Sequence, residues 1–562
     1  MDKPWLRAYP PGVSAELAAL DASGLGEWFA ACCRRYGDLP AFASFGKRLS
    51  YAEVQGQAQA VAAYLVHELR LAPGSRVALL LPNLLQYPVC LFGIWLAGCV
   101  AVPCNPQFTR RELENQLNDA EVDAIIAVDL FAHTLQQTLP RLRRADGSPA
   151  QPAVIVTSVG DLLGPLRGRL LNWHLRYWHR QVPAWEIPQA IALPTVLAHG
   201  AGLPPAARKT AAKDVALLQY TGGTTGLPKG AMLSHRNLLA NLAQAKAWCA
   251  GQLLEREEVV ITVLPLYHSF ALTANCLLFI ELGGCNELVA NGRDLPALVR
   301  LLARTRFTAI TGVNTLFNAL LAHPELSSID FSRLKVALGG GMAIQAAVAE
   351  RWQRATGRLL IEAYGLTETS PAVTINPLTL TAFNGSIGLP LPATDVTIRD
   401  DAGNDLPPGR LGEICIHGPQ VMQGYWRQPA ETANVFWHDD FLRTGDIGMM
   451  DEHGFFRLLD RKKDVIVVSG FNVYPNEVEA VARSHPGVDD VAAVAQTDPH
   501  SGEVVKLVVV RRDPSLTAAE LQAFCRGELA PYKVPQQIEF SEQLPRNPLG
   551  KILRRTLRSP AG

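Results

Sequence analysis

The sequence predicts an α/β fold, with a large N-terminal domain of layered sheets and helices and a small, mobile C-terminal α+β domain. Its 562 residues exceed one ordinary core. Short apolar runs alternate with helical patterns through most of the chain, which favours helices on mostly parallel sheets. A run of five charged residues, 460–464, then precedes shorter elements. We therefore expect domains at 1–459 and 460–562 with a hinge at Asp460, the alternative being a solvated turn inside one domain.

Composition excludes several classes of protein. Lys plus Arg and Asp plus Glu both number 52, so no global charge attracts nucleic acid. The ten cysteines show no Cys-x-x-Cys spacing, which argues against a zinc site or a disulfide framework and favours a reducing compartment. The N-terminus lacks the apolar core of a signal peptide. The longest apolar run, 89–102, is shorter than the roughly 20 residues that span a bilayer and predicts a buried helix. We expect a cytoplasmic protein.

The predicted elements follow in chain order. An Ala/Gly/Pro-rich connector occupies 198–213. Apolar runs predict strands at 215–220, 259–264, 307–312, 334–338 and 359–361. Beyond the charged run, strands are expected at 465–468, 491–494 and 506–510, and helices at 476–483 and 517–529.

A Gly/Thr-rich loop follows the first of these strands. Glycines let backbone N–H groups converge on phosphate oxygens, and threonine hydroxyls and a lysine add further donors. Pro228 precedes Lys229, so this is not a Walker A loop. We expect it at a strand-to-helix turn, with a helix beginning at Ser234, and predict that it binds a nucleotide. The predicted contacts are Tyr220, Thr221, Gly222, Gly223, Thr224, Thr225, Gly226, Leu227, Pro228, Lys229, Gly230 and Ala231.

Eight further motifs occur in a fixed order. They are Pro265-Leu266-Tyr267-His268-Ser269-Phe270, Gly339-Gly340-Gly341-Met342, Glu362-Ala363-Tyr364-Gly365-Leu366-Thr367-Glu368-Thr369, Gly412-Glu413-Ile414-Cys415-Ile416, Arg443-Thr444-Gly445-Asp446, Asp460-Arg461-Lys462-Lys463, Ser469-Gly470-Phe471-Asn472-Val473-Tyr474-Pro475 and Pro545-Arg546-Asn547-Pro548-Leu549-Gly550-Lys551. With the loop, this order resembles the adenylate-forming (acyl-activating) superfamily. The likeness is closest to bacterial long-chain fatty acid–CoA ligases.

That resemblance implies an ATP site. Tyr364 would stack on adenine, and Asp446 and Arg461 would bind the ribose. Glu368 is a hard oxygen ligand that suits Mg²⁺ on the ATP phosphates, with Thr224 as a second ligand. The further ATP contacts implied are Gly340, Glu362, Ala363 and Gly365.

The resemblance also implies catalytic and coenzyme A contacts. Thr367 and Glu368 would act in catalysis, and His268 would gate the substrate or orient its carboxylate. Adenylation has an anionic transition state, so the Lys551 ammonium would stabilise it. The small domain would then rotate about Asp460 and present Ser469 and Gly470 to the thiol of CoA. ATP and Mg²⁺ are thus the expected cofactors, and CoA is a co-substrate.

The substrate pocket is predicted to be apolar. Residues 269–280, after His268, contain no Asp or Glu, whereas domains that activate amino acids place an acid there. A fatty acid is the expected partner, and the resemblance favours a long chain. A medium-chain or aryl acid CoA ligase and a fatty acyl-AMP ligase remain alternatives within enzymes. An ATP-binding regulatory protein is disfavoured because Lys551, Glu368 and Asp446 are all present. The sequence leaves the oligomeric state open, with a homodimer as one option.

One segment without acidic residues, 162–185, combines arginines with Trp, Tyr and Leu. Its arginines are Arg167, Arg169, Arg176 and Arg180. This composition fits an interfacial helix on an anionic membrane, on its inner cytoplasmic face. An amphipathic helix that packs on the domain, with snorkelling arginines, fits equally well.

Overall fold

Four sheets organise the protein in the computed structural model, which describes residues 3–18, 22–206, 208–221, 228–498, 501–547 and 550–558. The α/β class is confirmed, with a large layered N-terminal part and a small C-terminal unit. The two large sheets are mainly parallel, as helical crossovers require, and gain antiparallel pairs only at their edges.

The nine-stranded sheet contains, in spatial order, Leu389–Pro390, Ala372–Ile375, Leu360–Gly365, Val336–Gly339, Ala309–Gly312, Val259–Thr262, Cys285–Leu288, Pro40–Ser44 and Lys47–Ser50. The seven-stranded sheet contains Ile191–Ala192, Ala153–Thr157, Ala124–Val128, Arg76–Leu80, Val100–Pro103, Val215–Thr221 and Lys229–Ser234. An antiparallel four-stranded sheet follows, made of Asp395–Arg399, Gly412–His417, Leu442–Met450 and Phe456–Arg461.

The small C-terminal unit has its own sheet and core. Its strands are Phe471–Val473, Ile466–Val468, Gly502–Arg511 and Val488–Asp498, with Gln537–Phe540 paired to Gly502–Arg511. Two helices, Pro475–Ser484 and Ala518–Glu528, cover it. Its buried cluster draws only on residues between Ile466 and Val534. A separate core is what a unit that moves as one body requires.

The α-helices before this unit are Leu25–Tyr36, Tyr51–Ala63, Gln86–Leu96, Arg110–Ala120, Ala132–Thr138, Pro165–Trp173, Leu193–Gly200, His235–Trp248, Ser269–Ala271, Leu278–Glu281, Leu295–Arg304, Asn314–Ala322, Ala346–Thr356 and Pro429–Val435. π-helical segments at Tyr64–Glu68, His174–Trp178 and Leu272–Leu277 continue three of them. Short 3₁₀ turns complete the description at Pro4–Ala8, Asp129–Phe131, Leu139–Arg141, Pro324–Ser328, Thr367–Thr369, Lys462–Asp464, Pro531–Lys533 and Arg554–Thr556.

The helix Gln86–Leu96 joins the two large sheets. All eleven of its residues are buried, because it carries almost no polar side chain. The Trp95 indole donates to Ala216 O (2.9 Å) in the seven-stranded sheet. Tyr87 donates to Leu266 O (3.0 Å), just beyond a strand of the nine-stranded sheet. This helix holds the first strand of the nucleotide loop in place relative to the segment that contains His268.

The structure corrects three predicted elements. The nucleotide loop lies between two antiparallel strands, not at a strand-to-helix turn, because Lys229–Ser234 forms a second strand. The predicted helix does begin at Ser234, whose hydroxyl accepts from Asn237 N (3.2 Å). The run 89–102 contains a helix end and the strand Val100–Pro103, with a turn between them. The connector predicted from 198 begins inside the helix Leu193–Gly200.

Cysteines and membrane spans agree with the composition. None of the ten cysteines forms a disulfide; nine are buried and Cys249 is half-buried. Among the described residues, no helix has the length and apolar content needed to cross a bilayer.

Candidate active site

A cavity of about 760 Å³ lies where the large sheets, the four-stranded sheet and the C-terminal unit meet. It brings together residues from motifs that are far apart in the sequence. The predicted residues in its lining are Tyr220, Thr221, Lys229, His268, Gly340, Ala363, Tyr364, Gly365, Thr367, Glu368, Arg461 and Lys551. Gly222, Gly223, Thr224, Thr225, Gly226 and Leu227 lie outside the described residues.

Tyr364, Asp446 and Arg461 form a hydrogen-bonded group at one end of the cavity. The Tyr364 hydroxyl donates to Asp446 Oδ2 (2.7 Å), and Arg461 Nε pairs with Asp446 Oδ1 (2.6 Å). Asp446 is only 1% exposed and does not itself line the cavity. Each carboxylate oxygen keeps a further acceptor position. Because the carboxylate is buried, however, a ribose hydroxyl reaches Asp446 only if Tyr364 or Arg461 shifts.

Glu368 lies on a 3₁₀ turn beside this group. Its Oε1 accepts from the Tyr425 hydroxyl (2.8 Å), and burial together with the Glu368 charge raises the pKa of Tyr425. Lys229 lies 5.2 Å from the Tyr425 ring centre and forms an ion pair with Glu431. Among the described residues, no group of three or more His, Cys, Asp or Glu side chains could hold a metal ion. One carboxylate at a phosphate site is nevertheless the usual protein share of a Mg²⁺ site.

Lys551 enters the cavity from the C-terminal unit. A tight turn holds it, in which Lys551 N donates to Asn547 Oδ1 (2.9 Å). Its side chain is exposed to the open volume of the cavity. Desolvation by the surrounding cavity walls, with the Arg461 guanidinium nearby, lowers the pKa of Lys551 to about 8. Gly550 has φ +79°, and a methyl group there would meet Thr315 Oγ1 at 2.8 Å. The positive φ at this turn favours glycine.

His268 precedes the helical segment 269–281 and lines the same cavity. Burial lowers the pKa of His268 to about 4, so the imidazole is neutral at pH 7. Beyond it the cavity is apolar and reaches the end of the helix His235–Trp248. That apolar extension is lined by Ala245, Trp248, Cys249, Leu253, Leu278 and Phe279. No acidic side chain belongs to it, as the sequence predicts.

Some predicted contacts lie behind the cavity wall. The Glu362 carboxylate accepts from Ile344 N (3.2 Å), and burial raises the pKa of Glu362 to about 8. Gly230 packs on the Tyr220 ring, and Ala231 is fully buried. Pro228 lines a separate cavity of about 520 Å³. In this geometry these residues shape the site without facing it.

Asp460 connects the four-stranded sheet to the C-terminal unit. It is 2% exposed, and its Oδ2 accepts from Asn476 N (2.7 Å) on the helix Pro475–Ser484. Arg554 reaches Asp460 Oδ1 (3.4 Å) and Glu479 Oε1 (2.8 Å). Sequence reasoning did not single out Arg554, Tyr425 or Thr315. Of these three, only Arg554 carries a sequence signal, because it lies in the basic run of Lys551, Arg554, Arg555 and Arg558.

Ser469 and Gly470 form an exposed hairpin turn on the C-terminal unit, outside the cavity. Gly470 has φ +84°, and a methyl group there would contact nothing within 4 Å. Val467, Phe471 and Tyr532 are exposed around it, and the last two rings stack at 5.0 Å. Lys551 and Gly470 thus lie on different faces of one unit.

Comparison with known proteins agrees with this geometry. The family model "AMP-binding enzyme" matches residues 29–426, and "AMP-binding enzyme C-terminal domain" matches residues 477–551. A long-chain-fatty-acid–CoA ligase of Salmonella typhimurium is 51% identical over 561 residues, which is 100% of this chain and 99% of that protein. One from Escherichia coli O6:H1 is 50% identical over the same shares.

A solved structure shows the same architecture with nucleotide. ATP-bound MatB from Rhodopseudomonas palustris has a TM-score of 0.79 and 29% identity, and the match covers 95% of this chain and 98% of that one. The two family models leave residues 427–476 between them, and the full-length relatives match that stretch as well. The chain belongs to the AMP-binding enzyme family.

Proposed function

We propose that this protein is a long-chain fatty acid–CoA ligase. It joins a fatty acid to CoA through an acyl-adenylate, and releases AMP and pyrophosphate. One observation carries the proposal: a single cavity is lined by Tyr364, Arg461 and Lys551 and also by the apolar side chains Trp248, Leu253 and Phe279. The full-length bacterial relatives are long-chain-fatty-acid–CoA ligases, which supports a long acyl chain.

In the first half-reaction, a carboxylate oxygen of the fatty acid attacks the α-phosphorus of ATP, and the bond to pyrophosphate breaks. Lys551 and Arg461 line the cavity where this anionic charge develops, and fixed cations stabilise it. Neutral His268 donates one hydrogen bond to the incoming carboxylate without neutralising it. Tyr364 supplies the aromatic face for adenine, and Asp446 accepts from the ribose.

Mg²⁺ fits the Glu368 end of this cavity. When bound, the ion neutralises phosphate charge and orients the leaving pyrophosphate. Glu368 has one oxygen that accepts from Tyr425 and a second that is available as a ligand. Thr224 and the rest of the glycine-rich loop complete the proposed phosphate site. The Glu368 carboxylate would attract the Mg²⁺ ion through its charge. Thr367 helps to hold the turn on which Glu368 lies.

In the second half-reaction, the CoA thiolate attacks the acyl carbon and AMP leaves. Residues 460–562 act as a mobile domain that turns on residues 1–459 about Asp460. This rotation of the domain withdraws Lys551 and brings Ser469 and Gly470 to the cavity. The exposed apolar side chains Phe471 and Tyr532 then cover the opening. Gly470 leaves room for the pantetheine arm.

The test is CoA-dependent release of AMP measured over fatty acids of graded length. We expect kcat/KM to rise with chain length until the apolar extension is filled. A maximum on short or aryl acids would favour a medium-chain or aryl acid ligase. Pyrophosphate release without thioester would favour a fatty acyl-AMP ligase, and ATP binding without turnover would favour a regulatory protein.

A further inference from the structure

Five exposed apolar side chains lie on a single helix, four of them along one face. Pro165–Trp173 continues without interruption into the π-helical segment His174–Trp178; together they are called the docking helix below. Of the twelve large apolar side chains exposed among the described residues, five belong to it, and each is 54–77% exposed: Leu166, Leu170, Trp173, Tyr177 and Trp178. Spacings of four, three and four residues place the first four along one stripe.

The opposite face of the docking helix is firmly packed. Leu171 and Leu175 contact the main core. A methyl group on Gly168 would lie 2.1 Å from Gly160 O, so the helix backbone rests directly on that loop. Asn172 Oδ1 accepts from Gly160 N (2.7 Å), and Asn172 donates to Asp161 Oδ1 (3.1 Å). The exposed stripe is therefore held rigidly outward, and packing on the domain does not account for it.

Positive charge flanks the exposed stripe. Arg169 and Arg176 lie on one side and Arg167 on the other, with Arg180 just past the helix end; all four are exposed. Within the described part of the chain, none of the four forms an ion pair. The buried Asp129 carboxylate is the acidic group that interacts with Arg176. The Arg167 guanidinium also lies beside Gly46, whose neighbour Phe45 adds another exposed ring.

An apolar stripe between cations, with Trp and Tyr at its edge, matches the interface of an anionic bilayer. Protein partners bind through stripes of this kind as well, but an arginine border without acidic residues specifically complements anionic headgroups. We propose that the docking helix binds the surface of an anionic phospholipid membrane, lying in its plane. Trp185, which the sequence grouped with this segment, packs into a core cluster and takes no part.

The test measures binding directly and does not depend on the ligase reaction. The full chain is sedimented with vesicles of phosphatidylcholine alone or mixed with phosphatidylglycerol, at graded NaCl. We expect binding to the anionic vesicles that weakens as salt rises. Replacing Arg167, Arg169, Arg176 and Arg180 by Gln should weaken binding more than about tenfold at low salt. Leu170→Glu with Trp173→Glu should abolish it.

Matched controls distinguish a specific effect of the docking helix from a general effect of net charge or of exposed apolar side chains. Four exposed arginines elsewhere, Arg300, Arg306, Arg333 and Arg354, are replaced by Gln for the same change in net charge. Leu254→Glu with Leu411→Glu repeats the apolar change at two other exposed sites. Both controls should bind vesicles as the parent does. Equal loss in helix and control variants, or no loss in the helix variants, would overturn the proposal.

A fluorescent label locates the contact. Because the native cysteines are buried or half-buried, an environment-sensitive dye on Leu170→Cys reports on the stripe alone. Its emission should shift to the blue with anionic vesicles and far less with neutral ones. A shift that depends on protein concentration without vesicles would make a second copy of the chain the occupant. Such a result, or equal shifts with both vesicle types, would contradict membrane docking.

Discussion

Lys551 adds a further cation to a cavity wall that already contains Arg461 and Lys463. Burial, and then the neighbouring Arg461, lowers the pKa of both lysines. Such crowding is unfavourable until anions arrive, so the cluster favours the state with bound ATP. The repulsion among these cations is local. Because it lowers the pKa of the lysines, it makes the site sensitive to pH.

Adenylation should therefore decline at alkaline pH. The pKa of Lys551 is lowered to about 8, so the ammonium is present below that pH and is lost above it. We expect kcat/KM for ATP in pyrophosphate exchange to fall above about pH 8, because this ratio reports the free enzyme. Lys551→Arg should move the fall to higher pH. A profile unchanged by that substitution would assign the titration to another group.

Removing the ammonium should separate the half-reactions. We expect Lys551→Ala to lose about 10²-fold or more in acyl-adenylate formation, since one positioned donor contributes that much. Transfer of a supplied acyl-adenylate to CoA should continue near the parent rate. Stopped-flow measurement of each half-reaction checks this. Equal loss in both would contradict a role in the first alone.

Glu368 should control the metal requirement. Glu368→Gln keeps the shape but removes the charge, so we expect at least about a tenfold loss of adenylation that raised Mg²⁺ partly restores. Tyr425→Phe removes the hydrogen bond to Glu368 and keeps the charge, so its Mg²⁺ dependence should stay that of the parent. Titration of activity with Mg²⁺ distinguishes them. Identical metal dependence of Glu368→Gln and the parent would exclude Glu368 as a ligand.

Motifs identified residues but not their partners. Tyr364 and Arg461 were predicted as separate nucleotide contacts, and the sequence could not show that both first bind Asp446. Tyr425 and Arg554 stayed unnoticed because side chains that meet across sheets have no fixed spacing. Glu362 shares a motif with Tyr364, yet its carboxylate accepts from Ile344 N and does not line the cavity.

At the scale of elements, periodicity located buried strands well and short amphipathic ones poorly. The strands Val259–Thr262 and Ala309–Gly312 were predicted to within a few residues because both consist mostly of apolar or β-branched residues. The strand Lys229–Ser234 was missed because Lys229, Gly230 and Ser234 interrupt the alternation of apolar and polar residues that marks a strand. Tertiary pairing with Val215–Thr221 decides its conformation. The docking helix was predicted too long, since only 165–178 of 162–185 is helical.

The end of the helix His235–Trp248 should set the acyl chain length. Ala245 lines the apolar extension, whereas the half-buried Ala247 does not. We expect Ala245→Leu to shorten the preferred fatty acid by about two to three carbons, because its added carbons occupy that space. Each buried methylene contributes about 0.8 kcal/mol. Measured kcat/KM over graded acids checks this, with Ala247→Leu as the control. An unchanged optimum in Ala245→Leu would place the acyl chain elsewhere.

At the scale of the whole molecule, the C-terminal unit can meet the cavity with only one face at a time. The turn at Gly550 offers a way to lock it. A Cβ on Gly550 would lie 3.9 Å from Thr315 Cβ, within the range for a disulfide. Oxidised Thr315→Cys/Gly550→Cys should retain pyrophosphate exchange and lose transfer to CoA by about 10²-fold. Reduction should restore transfer to CoA. In either single variant, the transfer rate should not change on oxidation. Full transfer in the locked protein would exclude rotation.

The face of the C-terminal unit that carries Gly470 should matter only for transfer of the acyl group to CoA. Gly470→Trp fills an exposed turn that has no neighbour within 4 Å, so we expect normal pyrophosphate exchange and at least about tenfold slower thioester formation. Gly409, with φ +81° and no close neighbour, provides a strain-matched control as Gly409→Trp. Loss of exchange in Gly470→Trp, or equal loss of transfer in both variants, would contradict the assignment.

The buried cysteines have a consequence for chemical self-protection. An enzyme that prepares a mixed anhydride for a thiol acceptor endangers its own thiols. Burial raises the pKa of Cys249, whose side chain lines the apolar extension, to about 12, and it likewise raises that of Cys90. At neutral pH these sulfurs remain protonated and poorly nucleophilic. We therefore expect these sulfurs to compete poorly with the incoming acceptor for the activated acyl group.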